Sequence, residues 1–262
     1  MKVRASSLGE LFDCPARWEA KHVLGMRLPG SAATQLGTAV HAGTAIFDQS
    51  NLNGQTIPAA DIADVVVDTI WHPADEIDWG ESSPKEAEPI ALALYGKYCS
   101  QIAPQMDYVG VEVEMQDIEI PDIDITLTGT TDRIYQNAFG EYGIADLKTG
   151  KTAVDASGKV KTCGHGAQIA VYELLTEYGT GKRISAPARI IGLTTAKTDK
   201  AQRVGIGEIH DARELLLGAD GRQGLLEMAA GFLKSGMFYG NPRSSLCSEK
   251  FCPRFSTCFF RR

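Results

Sequence analysis

The stretch YGIADLKTGK, residues 142–151, ends an apolar run on Asp146 and places Lys148 two positions later. In a strand, residues two apart share a face, so the acid and the lysine point the same way. A solvated strand end would explain this, and so would a metal-bound carboxylate beside a catalytic lysine. The residues upstream decide what the stretch belongs to. DITLTGTTDRIYQ (124–136) reads as a strand, and NAFGE (137–141) reads as a hairpin loop between it and EYGIADLKT. A loop centred on Phe139 sets Asp132 opposite Asp146, with Cβ atoms about 4.5–5.5 Å apart in a regular antiparallel pair. Asp132, Asp146 and Lys148 then share one face.

Two carboxylates this close repel each other unless a cation lies between them. Oxygen ligands with room for water suit Mg²⁺ or Mn²⁺. Such an ion activates water and stabilises charge on a phosphate oxygen, and Lys148 would add a positive charge beside the scissile phosphate. His41, in QLGTAVHAG, is either a satisfied core histidine or a further ligand, and imidazole suits Mn²⁺ better than Mg²⁺. Gln168 and Tyr172, in AQIAVY, are four apart on one helix face, placed to hold a phosphate or to orient Lys148.

Working outward, a helix is expected from Ser6 or Ser7, with Glu10 closing a capping box, and further helices over 31–49, 58–73 and 86–102. The small residues of 31–49 would let another backbone approach closely. The acidic segment from His72 to Pro89 reads as a loop. YVGVEVEMQDIEI (108–120) alternates like a strand, a helix is expected over 164–179, PARIIGLTTAK reads as a strand, and 211–236 as a long helix or a helix pair. The order is a mixed α/β core with helical flanks in one domain, 1–262. It comprises a mainly helical part (1–105) carrying Cys14 and His41, a core sheet (106–210), and a helix with a cysteine-rich tail (211–262).

The tail spaces Cys247, Cys252 and Cys258 within 12 residues, and Cys14, in FDCPARW, echoes FCPRF. These four thiols fit a clamp that joins the chain ends. Thiolate-only ligation allows structural zinc or an iron–sulfur cluster. The absence of tight C-x2-C knuckles favours a [4Fe–4S] cluster over zinc, with four unligated cysteines as the plain alternative. Cys99 and Cys163 read as ordinary small residues.

The composition, 44% hydrophobic and 23% charged, is that of a soluble globular chain. No apolar run approaches the ~18 residues of a membrane span, and MKVRASSLGELFDCP has no apolar signal core, so a cytoplasmic protein is expected. The net charge of −7 conceals an asymmetry. Residues 1–145 hold 8 Lys+Arg against 22 Asp+Glu, whereas residues 146–262 hold 18 against 11. The second half is therefore expected to carry a face for an anionic partner. Lys151, Lys159, Lys161, Lys197, Lys200 and Arg203 are its candidates, although any one of them alone reads as a solvated loop residue.

SSLGELFDCPARW, LGTAVHAG, GTTDRIY, IADLKTG, GAQIAVYELL and CSEKFCPRFSTC stand in the order seen in RecB-like nucleases of the PD-(D/E)XK superfamily. More narrowly, the chain resembles the branch with an iron–sulfur cluster, which includes CRISPR-associated and phage-type exonucleases and AddB-type nucleases. The resemblance runs from Cys14 to Cys258. It implies a restriction-endonuclease-like mixed sheet flanked by helices. It also implies a divalent metal held by His41, Asp132, Asp146 and the Leu147 carbonyl, with Lys148 catalytic, Gln168 and Tyr172 supporting it, and a [4Fe–4S] cluster on Cys14, Cys247, Cys252 and Cys258. Either Glu112 or Glu114 would match an acid of the first strand. Thr131 stands where the superfamily's name has proline, and the spacing from Cys247 to Cys252 is longer than the x2 of several members. The expected function is a Mg/Mn-dependent DNA exonuclease on single-stranded or frayed ends, in repair, recombination, phage replication or CRISPR adaptation. The alternatives are a non-catalytic DNA-binding adaptor on the same fold and a DNA endonuclease.

Overall fold

The computed structural model describes residues 1–55 and 57–261. The chain opens with a short strand, β1 (Lys2–Arg4), and two helices, α1 (Ala5–Asp13) and α2 (Pro15–His22). Cys14 between them is extended, because Pro15 cannot continue the preceding hydrogen-bond ladder and instead starts the next helix. The expected capping box does not form. Arg4 is the boundary residue, the Ser7 hydroxyl donates to the Arg4 carbonyl, and Glu10 pairs with Lys21 of α2 at 2.7 Å. Glu10 therefore ties two helices together instead of capping one.

A two-residue strand, β2 (Gly30–Ser31), leads into the 21-residue helix α3 (Ala32–Leu52), whose first turn is capped by the Ser31 hydroxyl accepting from Thr34 N–H. Helix α4 (Ala59–Trp71) follows. The expected acidic loop is shorter than its composition implied, since β3 (Ile77–Asp78) pairs with β2 and Ser83 caps α5 (Pro84–Lys97). The expected strand over 108–120 is two strands, β4 (Tyr108–Glu114) and β5 (Ile118–Ile120). The stretch 124–136 also divides, into β6 (Ile125–Thr128) and β7 (Thr130–Gln136). The break is at Gly129, where a Cβ would lie 3.0 Å from the Tyr172 ring and 3.3 Å from Ala5, so helices approach the backbone there. Then come β8 (Tyr142–Gly150), α6 (Gly166–Thr180), β9 (Ala188–Thr194), β10 (Val204–Ile209), and a helix pair, α7 (Ala212–Leu217) and α8 (Leu225–Ser235). Nothing in the alternation of VGIGEI marked β10 as a strand. Its two glycines make room for the 153–162 loop, because a Cβ at Gly207 would meet Thr162 and Val160 within 2.9 Å.

The main sheet has the order β10-β9-β8-β7-β4, and β1, β6 and β5 form a smaller sheet. Strand β8 is central, antiparallel to β7 and parallel to β9, with α6 as the crossover. Its two faces look into two cores. Ala145 and Leu147 pack with Leu36, Val40, Val66, Leu94 and Tyr95 under α3, α4 and α5. Ile144 packs with Ile134, Ile190, Ile169 and Leu175 under α6, with Leu8 and Leu11 of α1 in the same cluster. A strand buried on both faces is expected to be a continuous apolar run, and residues 143–147 are all buried. Asp146 is the one ionisable side chain in that run.

The small residues of α3 are used as close-approach points. A Cβ on Gly43 would sit 2.5 Å from Val66 and 3.2 Å from the Tyr95 ring. Gly43→Val is expected to destabilise the protein by about 1–3 kcal/mol through overpacking, read as a lowered urea midpoint. An unchanged midpoint would mean that α4 and α5 are not held this close.

Candidate active site

The β7–β8 ladder has the register expected from a turn centred on Phe139, with Arg133 opposite Ala145, Ile134 opposite Ile144 and Tyr135 opposite Gly143. Past Arg133–Ala145 the pairing passes to a side chain. The Leu147 N–H donates to Oδ2 of Asp132 at 3.0 Å. The Leu147 carbonyl lies 3.0 Å from Nε2 of His41, which reaches over from α3. His41 Nδ1 is 3.7 Å from the same Asp132 oxygen. Glu112 of β4 completes the group: one ligand atom each from His41, Glu112 and Asp132 lie within 4.8 Å of one another.

Asp146 and Lys148 share the face of Asp132 and reach on toward α6. Lys148 Nζ is 2.7 Å from Asp146 Oδ2 and donates to Gln168 Oε1 at 3.0 Å. Gln168 Nε2 in turn donates to the Tyr172 hydroxyl at 2.9 Å. A helix turn separates Gln168 from Tyr172, so α6 offers Lys148 an amide whose orientation is already fixed. The residues expected to meet around one cation thus form two adjoining groups, His41–Glu112–Asp132 and Asp146–Lys148–Gln168–Tyr172. Leu147, whose amide and carbonyl face the first group, lies between Asp146 and Lys148.

The electrostatics follow from burial. Asp146 is 1% exposed, and desolvation pushes its carboxyl up to about 7, against the pull of Lys148 and with a further push from Asp132 and Glu112. Glu112 is also raised, by desolvation first and Asp132 second. His165, at the N-terminal boundary of α6, is lowered to about 4 by burial and then by Lys148 and Lys161, so it is a neutral imidazole at the edge of the site. Two carboxylates, an imidazole and a backbone carbonyl are a donor set that fits a divalent cation of the Mg²⁺/Mn²⁺ class. The raised acids are the state such a set has before a cation neutralises it.

Two residues here were not singled out by their pattern. Glu112 was indistinguishable from Glu114 on strand alternation. It differs in having φ of 46°, a left-handed backbone uncommon outside glycine. Glu114 instead lines a separate cavity with Arg4, Asp117, Thr130 and Tyr172. Arg133 and its partner Asp48, both buried, link α3 to β7 at 2.7 Å. A buried cation could not be told from a solvated one by alternation. Of the expected basic face, Lys151, Lys159, Lys161 and Lys200 are exposed, Lys197 pairs with Glu86 at 3.6 Å, and Arg203 is half-buried against the Val154 carbonyl.

None of the six cysteines forms a disulfide. Cys14, Cys247, Cys252 and Cys258 line one cavity between α2 and the tail, with Arg17, Asn241 and Phe255. The Asn241 N–H donates to Cys14 Sγ at 3.4 Å, and the Asn241 side-chain amide donates to the Asp13 carbonyl. No three cysteine sulfurs among the described residues close to within 4.8 Å of one another. Cys99 is half-buried and Cys163 exposed, both away from this group.

The raised Asp146 has a consequence for the metal-free protein. Between the ordinary carboxylate range and about 7, the folded chain holds a proton that the unfolded chain has released. Stability therefore falls as pH rises through that window. Urea midpoints at pH 5 and pH 7 are expected to show this loss in the wild type and less of it in Asp146→Asn. Equal pH dependence in the two proteins would place the proton elsewhere.

No helix among the described residues is long and apolar enough to cross a membrane. A search of curated proteins finds no match. Among solved structures, "Crystal structure of SSO0001" is similar at 14% identity over 96% of this chain and 93% of that one, with a TM-score of 0.37. A family model described as PD-(D/E)XK nuclease superfamily matches residues 3–259, and on that match over nearly its whole length the chain belongs to this superfamily.

Proposed function

We propose that the chain is a metal-dependent deoxyribonuclease that hydrolyses phosphodiester bonds, acting as an exonuclease on single-stranded or frayed DNA ends. The observation that carries this reading is the His41–Glu112–Asp132 group lying beside the Lys148–Asp146 pair. His41, Asp132, Asp146 and the Leu147 carbonyl would hold Mg²⁺ or Mn²⁺, with Glu112 as a further acid. When bound, the ion supplies Lewis-acid stabilisation of a phosphate oxygen and lowers the pKa of water. Lys148 supplies a positive charge for the developing negative charge at the scissile phosphate. Gln168, itself held by Tyr172, keeps the lysine aimed.

Two cavities flank this site along α3. One is lined by Thr34, Gly37, Thr38, His41, Lys148 and Thr149, the other by Ala45, Ile46, Gln49, Asn53 and Glu112. Hydroxyls, amides and small apolar side chains suit a single strand passing across the metal group. Asp48, the one charged residue of α3, is turned into the core. The exposed lysines of the 150–161 loop, with Lys200, would draw the backbone in, and binding should weaken with salt.

In the same reading, Cys14, Cys247, Cys252 and Cys258 hold a [4Fe–4S] cluster that staples the first helices to the tail. Supporting it are the shared cavity and the N–H···S contact to Cys14. Protein purified without oxygen is expected to be brown, with broad absorbance around 400 nm. Colourless protein with stoichiometric zinc would overturn the cluster and leave the nuclease standing.

The decisive assay uses end-labelled linear and circular single-stranded DNA with Mn²⁺. Digestion of linear DNA only is expected, with Asp132→Ala and Lys148→Ala each losing at least about a hundredfold in rate. Cleavage of circles would make the protein an endonuclease. No cleavage of either form would favour a DNA-binding adaptor. Full activity in Lys148→Ala would remove the site assignment.

A further inference from the structure

The three residues of the metal group come from three elements, α3, β4 and β7, and one side chain bonds to all three. The Arg133 guanidinium, 2% exposed, donates from Nε to Asp48 Oδ2 at 2.7 Å and from Nη1 to Glu112 Oε1 at 2.9 Å. Nη1 also donates to the Asp132 carbonyl at 2.7 Å, and Nη2 to the Thr44 hydroxyl at 3.3 Å. Thr44 donates to the His41 carbonyl at 3.0 Å. The guanidinium thus holds Glu112 by its carboxylate, Asp132 by its backbone, and the His41 turn of α3 through Thr44 and Asp48.

Core filling does not account for this arrangement. A buried ion pair contributes little to stability relative to an apolar pair of the same volume. Moreover, Glu112 adopts a left-handed backbone with φ of 46° in the middle of β4. Strain of this kind persists only where its surroundings impose it, and Arg133 is the cation that binds the strained residue. Asp48 supplies the counter-charge on the far side of the guanidinium. Its Oδ2 also accepts from the Tyr98 hydroxyl at 2.5 Å, and that hydroxyl lies 3.0 Å from Tyr108. A lysine could not reproduce the fork, because its ammonium is a single point of charge.

We infer that Arg133 is the positioning residue of the metal group, and that Asp48, Tyr98 and Thr44 form the polar cradle that fixes it. The guanidinium holds Glu112 through Oε1, and a carboxylate oxygen of Glu112 lies within 4.8 Å of the ligand atoms of His41 and Asp132. This inference rests on the metal-dependent reading above.

The test measures Mn²⁺ binding directly, from the loss of the free-ion electron paramagnetic resonance signal on titration, without DNA. Arg133→Lys is expected to bind Mn²⁺ about 10–100-fold more weakly, the range seen when a residue supporting a metal ligand is removed. The paired substitution Arg133→Met with Asp48→Leu removes both buried charges together, and is expected to recover most of the wild-type melting temperature while still binding weakly. A structural role would give the opposite pattern, with wild-type affinity returning along with stability in the paired variant. Undiminished affinity in Arg133→Lys or in the folded paired variant, with the wild type binding, would overturn the inference alone. Failure of the wild type to bind Mn²⁺ at all would overturn the metal-dependent reading and this inference with it.

Discussion

The site depends on how the backbone of Leu147 is satisfied. Strand β8 is the middle of the sheet, and every interior N–H and C=O on such a strand needs a partner. On one side β9 provides them through Gly150. On the other, the β7 ladder ends at Arg133–Ala145, and the next two groups turn to side chains: the amide to Asp132 and the carbonyl to His41. A backbone obligation is thereby met by two candidate metal ligands. That ties α3 and β7 to the same point on β8 and places the ligands where the strand would otherwise be incomplete.

Burial then sets the charge balance. Asp146 occupies a position that strand geometry reserves for an apolar residue, and its carboxyl rises because water cannot reach it. Lys148 and Gln168 face it from one side, with Tyr172 accepting from Gln168 behind them. Glu112 and Asp132 add negative charge on the other, and Arg133 is the buried cation that answers them. Three acids around one point, with the partly exposed Lys148, the buried Arg133 already paired with Asp48, and a neutral His165, make a centre that is short of positive charge. A divalent ion would supply the difference. The acidic first half of the chain and the basic second half meet here, since Asp132 and Glu112 belong to the first and Lys148 and Lys161 to the second.

Much of this was legible in the residues. The hairpin about Phe139 predicted the register and therefore the shared face of Asp132, Asp146 and Lys148, because side-chain direction in a strand has a strict period of two. Ser31 and the small residues after it marked α3, and the i,i+4 spacing of Gln168 and Tyr172 marked one face of α6. Other features were hidden for identifiable reasons. Gly129 splits one apparent strand between two sheets, since it is the approach of Tyr172 and Ala5 that demands a missing side chain. Strand β10 carries glycines where an alternating pattern needs side chains. The Ser7–Glu10 spacing matched a capping box, yet Lys21, eleven residues away, drew Glu10 into a pair between helices.

The sequence alone determined which local structures form and which chemical groups each presents, because periodicity, capping and turn chemistry act between residues that are near in the chain. It placed the two aspartates and the lysine on one face, and it supplied the histidine and the four cysteines. Only the tertiary structure decided which groups meet. His41 lies 106 residues from Leu147, Arg133 lies 85 from Asp48, and Asn241 lies 227 from Cys14. Contacts at such separations are set by how layers pack and where ladders end, and no local pattern carries that information. Packing, for the same reason, brings Glu112 and not Glu114 beside His41 and Asp132.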